Sequence, residues 1–278
     1  MYRSINSVVT LNNGVQIPQL GFGTALISKD EGKTVDVILQ AIEAGYRHLD
    51  TAMVYYNEAA VGEAVRQSGI PREEFFITTK MWNEDLRQDR YREAFEESME
   101  KLQMDYVDMY MVHWPVPNKY IKAWKEMEKI YSEKRARVLG LSAFNAFQID
   151  QVLMCADVQP AVLQIECNPR FSRPDLFQYC KEHGIAMQAF KPLGQGAYMG
   201  DEVLAEIGKK HGKTVPQVII RWHLQRGVIA IPKSAHKERI IENANVFDFE
   251  LDTDDMNRIE AMNINKSTSN NTAACFDF

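Results

Sequence analysis

The chain has 278 residues, 45% of them hydrophobic and 25% charged, the profile of a globular protein long enough for one large core. A formal net charge of -6 with no Lys/Arg-rich run argues against a nucleic-acid backbone or an anionic membrane as partner. No apolar run approaches the roughly 20 residues of a membrane span, and the opening MYRSINSVVTLNNG has no apolar segment of signal-peptide length, so a cytoplasmic protein is expected.

In chain order, VVTLNNGVQIP (8–18) reads as two short strands around an Asn-Gly turn, a hairpin suited to plugging the bottom of a barrel. Eight apolar or β-branched runs follow: 19–26, 46–52, 75–80, 107–114, 137–144, 161–167, 185–190 and 228–234. Helical periodicity fills most of the gaps, at 34–45, 58–69, 92–103, 121–133, 174–184 and, as one long stretch, 201–227. Gly45, Gly69, Gly184 and Gly227 stand where a helix should stop before a strand. After the eighth strand, 236–247 and 252–263 read as two extra helices, and the tail beyond them as irregular. Strand alternating with helix implies parallel pairing, and eight units in about 250 residues fit a closed (β/α)8 TIM barrel, expected as one domain over 1–278. The four cysteines (Cys155, Cys167, Cys180, Cys275) form neither a CxxC pair nor a zinc-like spacing, so reduced thiols and no metal site are expected.

Chemistry in such a barrel gathers at the C-terminal ends of the strands. There the second strand ends at Asp50, the third at Lys80 and the fourth at His113-Trp114, with Tyr55 and Tyr56 just past Asp50. Each has an ordinary reading alone: a turn cap for Asp50, a hydrogen-bonded structural histidine for His113, packing for the tyrosines. Lys80 is harder to set aside, because a lysine ending an apolar strand must reach solvent or be paired. Together they suggest a proton donor. Tyrosine has a pKa of about 10, and an ammonium about 4 Å away at an effective dielectric near 20 contributes roughly 4 kcal/mol, which lowers that value by about 3 before screening. Asp50 as counter-ion keeps Lys80 charged, and a neutral His113 orients a carbonyl oxygen.

HLDTAMVYYNE, FITTKMWNE, VDMYMVHWP and IPKSAHKERIIENANVFDFEL resemble the aldo-keto reductase superfamily, in particular its small bacterial members of the glyoxal and 2,5-diketogluconate reductase kind. The resemblance runs from about residue 8 to 264 and implies a barrel that carries hydride from NADPH to an aldehyde or ketone. It implies a tetrad of Asp50, Tyr55 as acid, Lys80 and His113, the spacing from HLDTA selecting Tyr55 and leaving Tyr56 as a packing or wall residue. Trp82 and Trp114 then line the pocket mouth or simply pack at its rim. A monomer is the expected state.

A dinucleotide fingerprint of the Rossmann type is absent, since GFGTA (21–25) lacks the third glycine. A barrel instead seats phosphate in the loops after strands seven and eight, here KPLGQG (191–196) and IPKSAHKERIIEN (231–243). By resemblance, Lys233, Ser234 and Arg239 hold the adenosine 2′-phosphate, and Glu242 and Asn243 contact adenine. Phe190 stacks on nicotinamide, Gln164 and Ser142 bond its carboxamide, and Gly23, Thr24, Asp50, Lys191 and Leu193 complete the dinucleotide contacts. Charge-assisted bonds of about 1.5 to 3 kcal/mol each favour NADPH over NADH by roughly one to two orders of magnitude per contact.

Two positions depart from the family pattern. Ser142-Ala143-Phe144 stands where Ser-Asn-Phe is usual, and an extended backbone would let Asn145 take the place of the missing amide. Lys191 replaces the usual Ser or Gly, as a further phosphate contact or a solvent-facing side chain. Two other classes remain open at this level: a Schiff-base lyase using Lys80, and a non-catalytic NADPH-sensing subunit. The short segment 115–120 leaves the pocket open to varied carbonyl substrates, and Phe276 or Phe278 is placed to fold over it.

Overall fold

A computed structural model describes residues 4–198 and 200–268. Strands β1 (Val8–Thr10) and β2 (Gln16–Pro18) form an antiparallel hairpin. The alternating succession then begins with β3 (Phe22–Gly23), α1 (Glu31–Glu43), β4 (His48–Asp50) and α2 (Glu58–Gln67). It continues through β5 (Phe76–Met81), α3 (Asn83–Arg87), α4 (Tyr91–Leu102), β6 (Val107–Val112), α5 (Tyr120–Ser132), β7 (Ala136–Ser142) and α6 (Ala146–Leu153). The last units are β8 (Val162–Glu166), α7 (Pro174–Glu182), β9 (Ala186–Phe190), α8 (Glu202–His211), α9 (Val215–Gln225) and β10 (Ile229–Ala230), followed by α10 (Lys237–Ala244) and α11 (Thr253–Glu260).

The eight parallel strands β3 to β10 follow one another in sequence order around the sheet. The ends meet: Leu20 bridges Ala230, with Gly21 N donating to Ala230 O at 2.9 Å and Gly23 N to Pro232 O at 3.1 Å. The seam closes a (β/α)8 barrel. Its interior is layered, as side-chain alternation along each strand requires. At the bottom, Leu11 and Ile17 of the hairpin join Phe76, Met109, Val138, Val162 and Ile229 in one buried cluster. Asn12 Nδ2 and Asn13 Nδ2 fix the hairpin turn to Pro160 O and Arg137 O, each at 3.0 Å, beside the starts of β8 and β7. Above this plug, His48 lies 3.5 Å from both Thr78 Oγ1 and Gln188 Nε2 and 3.4 Å from Pro18 O. Gly21 makes room for that ring, since a Cβ there would fall 2.5 Å from it.

Two features differ from the sequence expectation. The stretch 201–227 is two helices, not one: Gly212 ends α8 in the left-handed region at φ 64°, and Thr214 restarts the chain with a capping box to Gln217. Pro216 sits in the first turn of α9, where its missing N–H costs nothing. Helix α6, which the apolar pattern does not announce, is started by a second capping box, Asn145 with Gln148. The four glycines expected to stop helices all have positive φ, from 66° to 99°.

Candidate active site

The loop after β4 builds the centre of the mouth. Residues Met53–Tyr55 form one 3-10 turn, and Tyr56 leaves it in the left-handed region at φ 54°. That reversal sends the two tyrosines apart: Tyr55 is half-buried and Tyr56 is 89% exposed, so Tyr56 does not pack as expected. Asn57, which sequence reasoning passed over, holds the loop in place. Its Oδ1 accepts from Thr51 Oγ1 at 2.6 Å and its Nδ2 donates to Thr24 O at 2.8 Å. Thr24 in turn donates through Oγ1 to Asp50 O at 2.9 Å, so the ends of β3 and β4 and the tyrosine turn form one hydrogen-bonded unit.

Asp50, Lys80, Tyr55 and His113 come together here. Lys80 is fully buried and donates to Asp50 Oδ1 at 2.5 Å and to Thr51 O at 2.9 Å. Its ammonium lies 5.1 Å from the centroid of the Tyr55 ring, within reach of the hydroxyl. Burial opposes the Lys80 charge, but Asp50 and then Tyr55 outweigh it, and its pKa stays above the ordinary lysine value. The Tyr55 phenol behaves otherwise than the sequence argument expects. Burial raises its pKa, and the pull of Lys80, partly offset by Asp50, does not bring it below the ordinary tyrosine value. The expectation treated the ammonium without the desolvation of the phenolate it stabilises. The Tyr55 phenol is therefore neutral and keeps its proton at ordinary pH.

His113 is buried, and burial followed by the Lys80 charge holds its pKa well below the ordinary histidine range, so the ring is neutral. Three aromatic rings surround it: Tyr55 at 5.6 Å and Trp82 at 5.2 Å edge-on, and Trp114 stacked at 6.2 Å. Both tryptophans are half-buried, with one part against His113 and the other at the mouth.

The residues expected around a dinucleotide form an arc from β7 to α10. Ser142 and Gln164 are register partners on β7 and β8. Gln164 Nε2 donates to Asp50 Oδ2 at 2.7 Å, which makes it a second support of that carboxylate. Phe190 ends β9 with a half-buried ring, and Lys191 and Leu193 follow on the loop, Lys191 in the left-handed region at φ 49°. Gly23 faces the seam closely, a Cβ there falling 2.9 Å from Ile231 O. Lys233 is exposed and donates to Leu26 O at 3.2 Å, while Ser234 Oγ accepts from His236 N at 3.1 Å. The N-cap residue of α10, His236, contributes no side-chain cap, and Arg239 stands exposed in the first turn of that helix. An uncapped helix start with two exposed cations is chemistry suited to a phosphate. Asn243 is buried in the last turn, and Glu242 Oε1 accepts from Thr214 Oγ1 at 2.7 Å. The donor set fits NADPH, which supplies hydride when bound.

Ala143 does not leave the backbone extended. It lies in the left-handed region at φ 64°, and Asn145 beyond it spends its side chain capping α6 at Gln148 N. Asn145 therefore does not take the place of the missing amide. Sequence reasoning also passed over Glu166, a buried carboxylate ending β8. It accepts from Ser267 Oγ and Thr268 N, each at 2.7 Å, and so fixes the start of the tail at the barrel mouth. Cys275, Phe276 and Phe278 lie outside the described residues.

A barrel with this rim meets its counterpart among known proteins. The Aldo/keto reductase family model matches residues 19–264. A glyoxal reductase of Bacillus subtilis is 44% identical over 95% of this chain and 95% of its own. A methylglyoxal reductase of Escherichia coli is 39% identical over 94% of each chain. Among solved structures, an aldo-keto reductase from a Medee basin deep-sea metagenome library superposes with a TM-score of 0.89 at 39% identity, covering 93% of this chain and 96% of its own. The Bombyx mori aldo-keto reductase in complex with NADP superposes at 0.90 with 33% identity, covering 100% of this chain and 98% of its own. The chain belongs to the aldo/keto reductase family. It is an oxidoreductase that uses NADP(H).

Proposed function

We propose that the protein reduces small aldehydes, ketoaldehydes and ketones to alcohols with NADPH, and that Tyr55 delivers the proton. The observation that carries this reading is a neutral phenol set between a buried, charged Lys80 and a neutral His113. The carbonyl oxygen is received by the Tyr55 hydroxyl, with His113 fixing its direction. As negative charge grows on that oxygen, the proton passes from Tyr55, and the resulting phenolate is stabilised by the ammonium that Asp50 and Gln164 hold in place. Trp82 and Trp114 shape the mouth around the rest of the substrate. Lys233, Ser234 and Arg239 take the 2′-phosphate, Glu242 and Asn243 the adenine, and Phe190, Ser142 and Gln164 the nicotinamide end.

The same charge on Lys80 weighs against a Schiff-base lyase, because a protonated amine is no nucleophile. The two reductases above that are named for glyoxal and methylglyoxal suggest α-ketoaldehydes as first substrates to try. The test is NADPH oxidation against methylglyoxal, aromatic aldehydes, sugar aldehydes and diketones. Tyr55→Phe is expected to lower kcat by about 10²- to 10⁴-fold, the usual worth of a positioned acid. Equal turnover by the two proteins would remove Tyr55 as donor, and NADPH binding without turnover of any carbonyl would point to a sensor.

A further inference from the structure

Glu58 lies three residues past Tyr55, and the reaction above makes no use of it. It opens α2, is 1% exposed, and its Oε1 accepts from Thr79 Oγ1 at 2.6 Å. Thr79 precedes Lys80 on β5, and strand alternation turns Lys80 into the barrel and Thr79 out toward the helices. From outside the barrel, then, Glu58 grips the strand whose inner face carries the ammonium. The turn it grips from is the one that carries the phenol, whose near end Asn57 already fixes to Thr24 and Thr51.

The grip is an expensive one. Beyond Thr79 the carboxylate has only the Ser98 hydroxyl beside it and the half-exposed ammonium of Lys101 4.0 Å from Oε2, and burial holds its pKa above the ordinary glutamate value in spite of them. An acid that served only the start of α2 would do so from solvent at far lower desolvation cost. An apolar side chain would join α2 to β5 with no such cost at all. What the carboxylate adds is direction, a fixed short bond to the residue adjoining Lys80.

We propose that Glu58 is a positioning residue for the proton donor, its bond to Thr79 setting the separation between the Tyr55 hydroxyl and the Lys80 ammonium. This rests on the reading of Tyr55 as the acid. A misplacement of about 1 Å in a reacting geometry costs on the order of 10²-fold, and loss of one restraint among several is expected to cost roughly tenfold.

The test is the pH dependence of kcat at saturating NADPH and methylglyoxal for wild type, Tyr55→Phe, Glu58→Gln, Thr79→Val and the double variant Glu58→Leu/Thr79→Val. The double variant removes both polar partners together, and Thr79→Val alone gives the same comparison should the double variant not fold. Expected are a roughly tenfold lower kcat per NADPH-binding site and an unchanged KM for NADPH. The alkaline limb should also move to higher pH, because a phenol farther from its ammonium gives up its proton less readily. The charged and titratable groups facing Tyr55 are Lys80, Asp50 and His113, and those facing Glu58 are Lys101, Glu97 and Tyr110. Glu58→Gln keeps an acceptor for Thr79 and should stay within about threefold of wild type. Wild-type kcat per site and an unmoved limb in the double variant, with Tyr55→Phe inactive, overturn the positioning role alone. An active Tyr55→Phe overturns the donor and this proposal with it.

Discussion

Asp108 and Asp50 are both buried strand residues paired with cations, one near the bottom of the barrel and one at its mouth. Asp108 receives Arg72 at 2.8 Å, Arg137 at 2.7 Å and the Ile77 amide at 2.9 Å, joining the starts of β5, β6 and β7. Guanidinium groups keep their charge at any ordinary pH, and here one arginine holds each oxygen of the carboxylate, so this cluster is a fixed strut. Asp50 receives Lys80 and Gln164, and its cation is a point charge that also faces a phenol. A lysine there can shift its favour between the carboxylate and the phenolate as a proton leaves. On the proposed mechanism, two similar ion pairs divide the work of the barrel, the bottom one for stability and the top one for reaction.

Breaking each pair should have opposite signatures. Lys80→Met is expected to give the largest effect, a fall in kcat of about 10²-fold or more, because the phenolate loses its counter-charge. A variant that keeps near-wild-type kcat would place the reactive charge elsewhere. Asp108→Asn should instead lower stability by about 3 kcal/mol, read from denaturant unfolding, with kcat per folded molecule within about twofold of wild type. A collapse of kcat in that variant would erase the contrast.

Two buried histidines make the stability of the core depend on pH. Burial lowers the pKa of His48 to about 4, and that of His223 on α9, beside the Pro192 backbone, to about 3. The unfolded chain protonates these rings at about 6.5, so their stabilisation is complete above that pH. It is lost as pH falls from about 6.5 toward 4 for His48, on the order of 3 kcal/mol, and toward 3 for His223, on the order of 5 kcal/mol. The melting temperature should therefore fall steadily below pH 6.5, and a flat profile down to pH 5 would show that the rings are not held neutral.

Much of this was legible before any coordinates. The eight strands announce themselves because a parallel strand covered on both faces is a short apolar run between turn signals. The spacing of the resembling motif favours Tyr55 over Tyr56, and the left-handed turn at Tyr56 is the backbone feature that sends the two side chains apart. What stayed hidden had physical causes. The break at Gly212 was masked because apolar periodicity continues across it, although Thr214-x-x-Gln217 with Pro216 was a readable start signal. Asn145-x-x-Gln148 was the same kind of signal for α6, a helix of eight residues, too short for a convincing apolar face. The left-handed Ala143 was invisible because alanine gives no hint of a positive φ. The direction of the Tyr55 shift depends on how deeply the phenol is packed, and linear order does not report depth.

The barrel closes at its weakest place. Strands β3 and β10 have two residues each, and the seam between them rests on a few amide bonds from Gly21, Gly23 and Ala230. Lys233 and Leu26 face each other across that seam, and the expected dinucleotide contacts Gly23, Thr24, Lys233 and Ser234 lie on its two sides. A ligand held from both sides acts as a staple. Amide exchange at Gly21, Gly23 and Ala230 should slow when NADPH is added while β5 to β7 keep their rates, so the cofactor becomes the missing length of the barrel's shortest strands.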